Sequence, residues 1–161
     1  MWGLIARVAA MPCVAQWLYK RAERTPYTHI RSADGRSLYM GRWWLFNPYP
    51  ESGAAKRWEW LPSIRVHHIC RADSDRHLHD HPWNARTIIL RGVYVEERLD
   101  GKQLLRAPGE TAAIKHGEYH RIVSVSPDGV WTLFITWRYQ GTWGFFVDGK
   151  KVPWRQYLGV K

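Results

Sequence analysis

Residues 77–94 read His77-Leu78-His79-Asp80-His81-Pro82-Trp83-Asn84-Ala85-Arg86-Thr87-Ile88-Ile89-Leu90-Arg91-Gly92-Val93-Tyr94, and three of the chain's eight histidines fall in the first five positions. In an extended segment, side chains at i and i+2 share a face, so His77, His79 and His81 point one way and Leu78 and Asp80 the other. Two or three imidazoles then converge, and imidazole suits zinc, iron, nickel and copper. A polar loop that happens to contain histidines is the plainer reading. The density of histidine before a β-rich run that closes at Gly92 favours a metal site, whose further ligand must come from elsewhere in the fold.

The rest of the chain repeats the β signal. Asp-Gly dipeptides at Asp34-Gly35, Asp100-Gly101, Asp128-Gly129 and Asp148-Gly149 punctuate it, and Asp-Gly between apolar runs marks hairpins because both residues tolerate positive φ. Strands are expected over 37–46, 64–70, 86–98, 103–107, 111–115, 121–125, 130–139 and 143–147, about eight in all, which suits a barrel or sandwich. One helix is expected from Pro12 to Glu23, with Pro12 in its first turn and Val14, Trp17, Leu18 and Arg21 repeating on a face, packed outside the barrel. Residues 47–53, with their Pro, Gly and Ser, read as a loop. The expectation is a single all-β domain over 1–161, with a helical and extended arm at 1–36 and a barrel at 37–161.

Composition narrows the function. With 45% hydrophobic residues and 11 Trp, the 161-residue chain has ample material for a core. Cys13 and Cys70 are too few for a disulfide framework or a cysteine zinc site, so a reducing, cytoplasmic setting is expected. Arg7 and Pro12 interrupt the apolar N-terminus, no apolar run reaches the length of a membrane span, and neither a signal peptide nor a transmembrane segment is expected. Trp2, Ile5, Val14, Trp17 and Leu18, followed by the basic stretch 20–24, leave a surface-lying N-terminal helix open. The net charge of +10 raises nucleic acid as a partner, but the 17 arginines and 7 lysines are spread along the chain and carry no nucleic-acid motif. A solvated basic surface is the simpler account.

The histidine stretch resembles the first motif of the cupin superfamily, in which two His one residue apart are followed by a Glu and then a Gly. His79 and His81 match the pair and Gly92 the closing Gly, while the Glu slot falls at Ala85. Lys115-His116-Gly117-Glu118-Tyr119-His120 is similar to the second motif, keeping its Gly and His with Lys in place of Pro. More narrowly, His79-Asp80-His81-Pro82-Trp83, the strand through Gly92, His120-Arg121-Ile122 and the segments at 131–136, 143–145 and 152–157 resemble a group of small cupin-like proteins found in bacteria and their phages. The resemblance spans nearly the whole chain and implies a cupin-type double-stranded β-helix, a jelly-roll barrel, more firmly than it implies a reaction.

It also implies a ligand set. His79, His81 and His120 would hold a divalent metal, with His77 as an accessory candidate. Loss of the Glu resembles the three-His iron site of thiol dioxygenases and points to Fe(II), oxygen and a small-molecule substrate; zinc, nickel and manganese fit the same donors. A degraded or purely structural site is the other reading. Alternatives from other classes are a non-catalytic cupin that binds a small ligand, nucleic acid or a partner protein, and a metal-independent isomerase of the sugar-epimerase type in which a barrel His is the base. A homodimer is compatible with the family.

Several further residues carry expectations. Asp80 either orients a ligand imidazole or caps the turn before Pro82, with the turn favoured. Strand parity from His79 and His81 places Arg91 inward and Arg86 outward unless a bulge at Pro82 breaks the count, and an inward Arg, with Arg65 a further candidate, would suit a substrate carboxylate. Tyr94 and Tyr119 are weighed as proton donors near the metal, with Tyr119 alternating away from it. The tryptophans at 43, 44, 131, 137, 143 and 154 line a cavity, form a base-stacking platform or, more commonly for such residues, form core. Of the adjacent His67 and His68, one at most faces inward.

Overall fold

A computed structural model describes residues 1–32, 35–49, 56–75 and 77–160. The helices α1 (Trp2–Ala9) and α2 (Pro12–Ala22) come first, followed by the short strand β1 (Ile30–Arg31). The remaining strands are β2 (Leu38–Phe46), β3 (Ser63–Ile69), β4 (Trp83–Arg91), β5 (Tyr94–Arg98), β6 (Gln103–Arg106), β7 (Thr111–Ile114), β8 (His120–Val125), β9 (Val130–Tyr139), β10 (Gly144–Val147) and β11 (Lys150–Pro153), and α3 (Trp154–Leu158) ends the fold.

One antiparallel sheet has the order β1-β2-β3-β9-β4-β7. Opposite it lie the three strands β6-β5-β8 and the hairpin β10-β11. These two pieces are joined by His79, which bridges His120 on β8 and Phe145 on β10. The histidine segment is therefore the seam of the second sheet, and the all-β jelly roll closes across it.

The larger sheet is buried on both faces. Val66, Ile88, Leu90, Leu133 and Ile135 on its outer face pack under Ala6 and Ala9 of α1 and Ala15, Leu18 and Tyr19 of α2. Small alanines let the helices approach the strands closely, and Trp43, Trp131 and Trp137 fill the edges of the layer. The inner face carries Ser63, Arg65 and His67 of β3, Ala85 and Thr87 of β4, and Thr132, Phe134 and Thr136 of β9, all buried. Leu4, Ile5 and Val8 of α1 stay exposed. Among the described residues no helix is long and apolar enough to cross a membrane.

The expected helix is α2, but α1 and α3 join it; α1 is only eight residues long, and burial of Ala6 and Ala9 against the sheet fixes it more than its own periodicity. The strand expected over 86–98 is two strands. Gly92, at φ 77°, turns the chain between β4 and β5, and a Cβ there would lie 2.3 Å from the Gly129 carbonyl oxygen. β1 and β11 were not anticipated, being too short to show a period. Asp148 and Gly149 both have positive φ, as a tight hairpin between β10 and β11 requires. Gly101 and Gly129 turn β5 into β6 and β8 into β9. Asp34 and residues 50–53 of the expected loop lie outside the described residues.

Candidate metal centre

His79 and His120 exchange both backbone hydrogen bonds, each 2.9 Å. That pairing sets the two residues opposite one another across the seam. The Asp80 N–H donates to the Gly144 carbonyl at 3.0 Å, and the Phe146 N–H donates to the Leu78 carbonyl at 2.8 Å, so the segment is held from both sides. His81 follows two residues on and points to the same interior. One ligand atom from each of His79, His81 and His120 lies within 4.8 Å of the other two.

His81 Nε2 and His120 Nε2 are 2.9 Å apart and share a hydrogen bond. Burial, followed by the electrostatic effect of the neighbouring His120, lowers the pKa of His79 to about 4. Burial also holds His81 well below the ordinary histidine value, with His120, His79 and Arg65 adding to the effect. Neutral imidazole is the form a metal takes, so these rings are ready as ligands near pH 7. Ring packing restrains them: His81 lies 6.2 Å from Trp83 and 5.5 Å from Phe134, and His79 lies 6.1 Å from Phe145.

Behind His120 stands Glu96, which was not anticipated. His120 Nδ1 is 2.8 Å from Glu96 Oε1, an arrangement that aims Nε2 at the other two rings. Glu96 is 1% exposed and receives Arg98 at 2.8 Å and Arg106 at 3.0 Å. Burial pushes its carboxyl up, but His120, Arg98 and Arg106 outweigh that and bring it down to about 2. The signal in the sequence is an acid sharing strand parity with the buried Tyr94. His79 has a weaker counterpart in Asp73, whose Oδ2 lies 3.8 Å from Nδ1 and also accepts the Ile122 N–H at 2.7 Å.

The other candidates are distributed differently. His77 is not among the three: its Nδ1 lies 3.0 Å from the Tyr157 hydroxyl. Ala85 is buried beside Trp83, Ile114 and Phe134, so the usual carboxylate position is apolar. Asp80 neither orients an imidazole nor caps the turn. Fully buried, it accepts the Gly144 N–H at 2.7 Å and Lys151 Nζ at 2.6 Å, fastening the β10–β11 hairpin to the seam.

Arg86 faces outward as expected, over the Trp2 ring. Arg91, expected inward, is exposed, because the register shifts between Ile89 and Arg91 and brings Arg91 opposite Trp131 on the helix side. The inward arginine is Arg65. Tyr94 is buried with its phenol pushed up by burial, and Tyr119 packs on Phe146. His67 is the inward member of its pair, stacked on Phe134, whereas His68 stacks on Trp131 on the outer face.

No protein-family model matches the chain, and no curated protein matches it. Solved structures do. A cupin-2 domain from Rhodospirillum rubrum is 11% identical, with a TM-score of 0.53 over 82% of this chain and 78% of that one. A cupin-like protein from Thermotoga maritima is 16% identical, with a TM-score of 0.50 over 84% and 94%. Fe(II) HppE is 10% identical, with a TM-score of 0.51 over 68% of this chain and 56% of that one. This chain spans little more than half of HppE, and 48% of a chain from a structure of DMSP lyases. At these identities the likeness is one of fold. The chain has the cupin fold, a jelly roll with N-terminal helices, and the three-histidine cluster lies at its seam.

Proposed function

We propose that this is a metal-dependent cupin acting on a small molecule, in which His79, His81 and His120 hold a divalent ion, Fe(II) above the alternatives, and oxygen is the co-substrate. One observation carries the reading: three buried or half-buried imidazoles, their ligand atoms within 4.8 Å, converge with His120 aimed from behind by Glu96. The residues fit the group, because three imidazoles with their ligand atoms within 4.8 Å of one another form a nitrogen donor set that suits iron and equally zinc or nickel. When bound, such an ion supplies Lewis acidity and, as iron, one-electron chemistry with oxygen.

The protein's own part is to position and to tune. Glu96 fixes the orientation of His120 and raises its basicity as a ligand. Ala85, Trp83 and Phe134 make the side lacking a carboxylate apolar, so no protein carboxylate from that side would compete with a substrate for an ion held by the three histidines. Anaerobic reconstitution with Fe(II), followed by metal analysis, tests the assignment. About one ion per chain is expected for the wild type and far less for His79→Ala and His120→Ala. Unchanged metal content in both variants overturns the reading.

The His120–Glu96 pair also supports a second reading, a metal-independent isomerase with His120 as base, since a carboxylate behind an imidazole raises its basicity. Turnover unaffected by chelator is the result expected from it.

A further inference from the structure

Among the buried side-chain nitrogen and oxygen atoms that lack a well-formed hydrogen bond within the described residues, five belong to one corner of the barrel: Nε and Nη2 of Arg65, Nε2 of His67, the Tyr49 hydroxyl and Oγ1 of Thr136. Buried polar groups are almost always satisfied, so such a concentration calls for a missing partner. The strand register explains the grouping. On β3 and β9, Ser63 pairs with Thr136, Arg65 with Phe134 and His67 with Thr132, which puts Arg65, His67 and Thr136 on the same inner face.

Arg65 is 3% exposed and ringed by aromatics. Its guanidinium carbon lies 5.1 Å from the Trp83 ring centre, 5.2 Å from Trp44 and 5.5 Å from Phe134. Rings stabilise the face of a guanidinium and leave its in-plane N–H donors unserved. The two unpartnered nitrogens, Nε and Nη2, form the edge whose parallel N–H bonds match a carboxylate. No Asp or Glu among the described residues pairs with it; the Tyr49 hydroxyl is the polar group that addresses the guanidinium, and Tyr49, Tyr27 and Lys56 bring no carboxylate to its Nε–Nη2 edge. Trp83 and Phe134 also flank His81, so the guanidinium and the histidine cluster share two walls.

We propose that Arg65 is the anchor for the carboxylate of a small organic acid, held in a bidentate pair with Nε and Nη2 while the rest of the molecule faces His79, His81 and His120. The inference deepens the metal-centre reading and rests on it for the second half only. Three neutral imidazoles leave an ion's charge uncompensated, and Arg65 adds another cation on the same side. An acid lying between them offsets both. A single negative charge suits the aromatic enclosure better than the double charge of phosphate, because desolvation of a dianion is far more unfavourable.

The test uses metal-free protein and acetate as the probe, with acetamide as its neutral isostere and inorganic phosphate as the competing anion, followed by saturation-transfer NMR. Saturable acetate binding to the wild type is expected, at least tenfold weaker in Arg65→Met and also weakened in Arg65→Lys, which keeps the charge and loses the fork. Acetamide is expected not to bind, and phosphate not to displace acetate at equal concentration. Equal acetate affinity in wild type and Arg65→Met, or equal binding of acetamide, overturns the proposal; displacement by equimolar phosphate overturns the carboxylate assignment. Should Arg65→Met fail to fold, Arg65→Lys carries the same comparison. Acetate binding that persists in His79→Ala, where metal binding is lost, separates the two readings, since the arginine subsite needs no ion.

Discussion

His79 and His120 are joined by a reciprocal pair of backbone hydrogen bonds, each 2.9 Å, so two of the three candidate ligands are set opposite each other by the main chain itself. Substituting either imidazole leaves that pairing intact. His79→Ala and His120→Ala are therefore expected to lose metal while keeping the native circular dichroism spectrum, and a collapsed spectrum in both would show the side chains to be structural instead.

Glu96→Gln removes the charge that His120, Arg98 and Arg106 all address. Metal affinity is expected to fall about 10–100-fold, as for other partners behind a ligand imidazole. Stability is expected to fall by about 3–5 kcal/mol because buried cations lose their counter-charge. Competition with a chelator and urea unfolding measure the two effects separately.

Asp80→Ala unfastens the C-terminal hairpin by stranding the Gly144 N–H and leaving Lys151 Nζ with the Thr142 carbonyl alone. A loss of about 2–4 kcal/mol is expected. Faster amide exchange should appear at Gly144 before it appears on β3 or β9; uniform acceleration across the fold would contradict a local role.

Acid should destabilise the metal-free protein well before its carboxylates protonate. His79 titrates at about 4 in the folded chain and His67 and His81 well below their ordinary value, whereas in the unfolded chain all three return to about 6.5. Between those values the unfolded state binds more protons, so stability is full above about 6.5 and is lost as pH falls toward 4. His79 alone accounts for about 3 kcal/mol across that window. Melting temperatures that stay flat from pH 7 to 4.5 would refute this.

Gly92→Ala meets both a positive φ and the Gly129 carbonyl oxygen at 2.3 Å. A loss of about 1–3 kcal/mol is expected in denaturant unfolding. Gly101→Ala, where a Cβ meets nothing within 4 Å, isolates the contribution of φ alone.

The features legible in the sequence were local ones. His79, His81 and the hairpin glycines declare themselves through spacing and turn chemistry within a few residues, and the strands follow from β-branched runs. What escaped depends on register between distant segments. Glu96 becomes a partner of His120 only because β5 lies antiparallel to β8. Asp80 finds Lys151 at a separation of 71 residues, and no local pattern reports that. Parity counted from the histidines held through Ala85, Thr87 and Ile89 and failed at Arg91, where a single bulge turned the side chain outward. Arg65 was one of three strand arginines that could have faced inward, and its enclosure, set by the pairing of β3 with β9, picks it out from Arg86 and Arg91.

The seam at His79 has a consequence for the order of events when the chain folds. Its bridges reach β8 and β10, and contacts this remote in sequence form late. The centre is thus expected to be finished only after both sheets have met and the last hairpin has docked, and the proposed ion is expected to enter a completed cage without templating it. Refolding in the presence of chelator should proceed at an undiminished rate, with metal taken up afterwards as a separate, slower event.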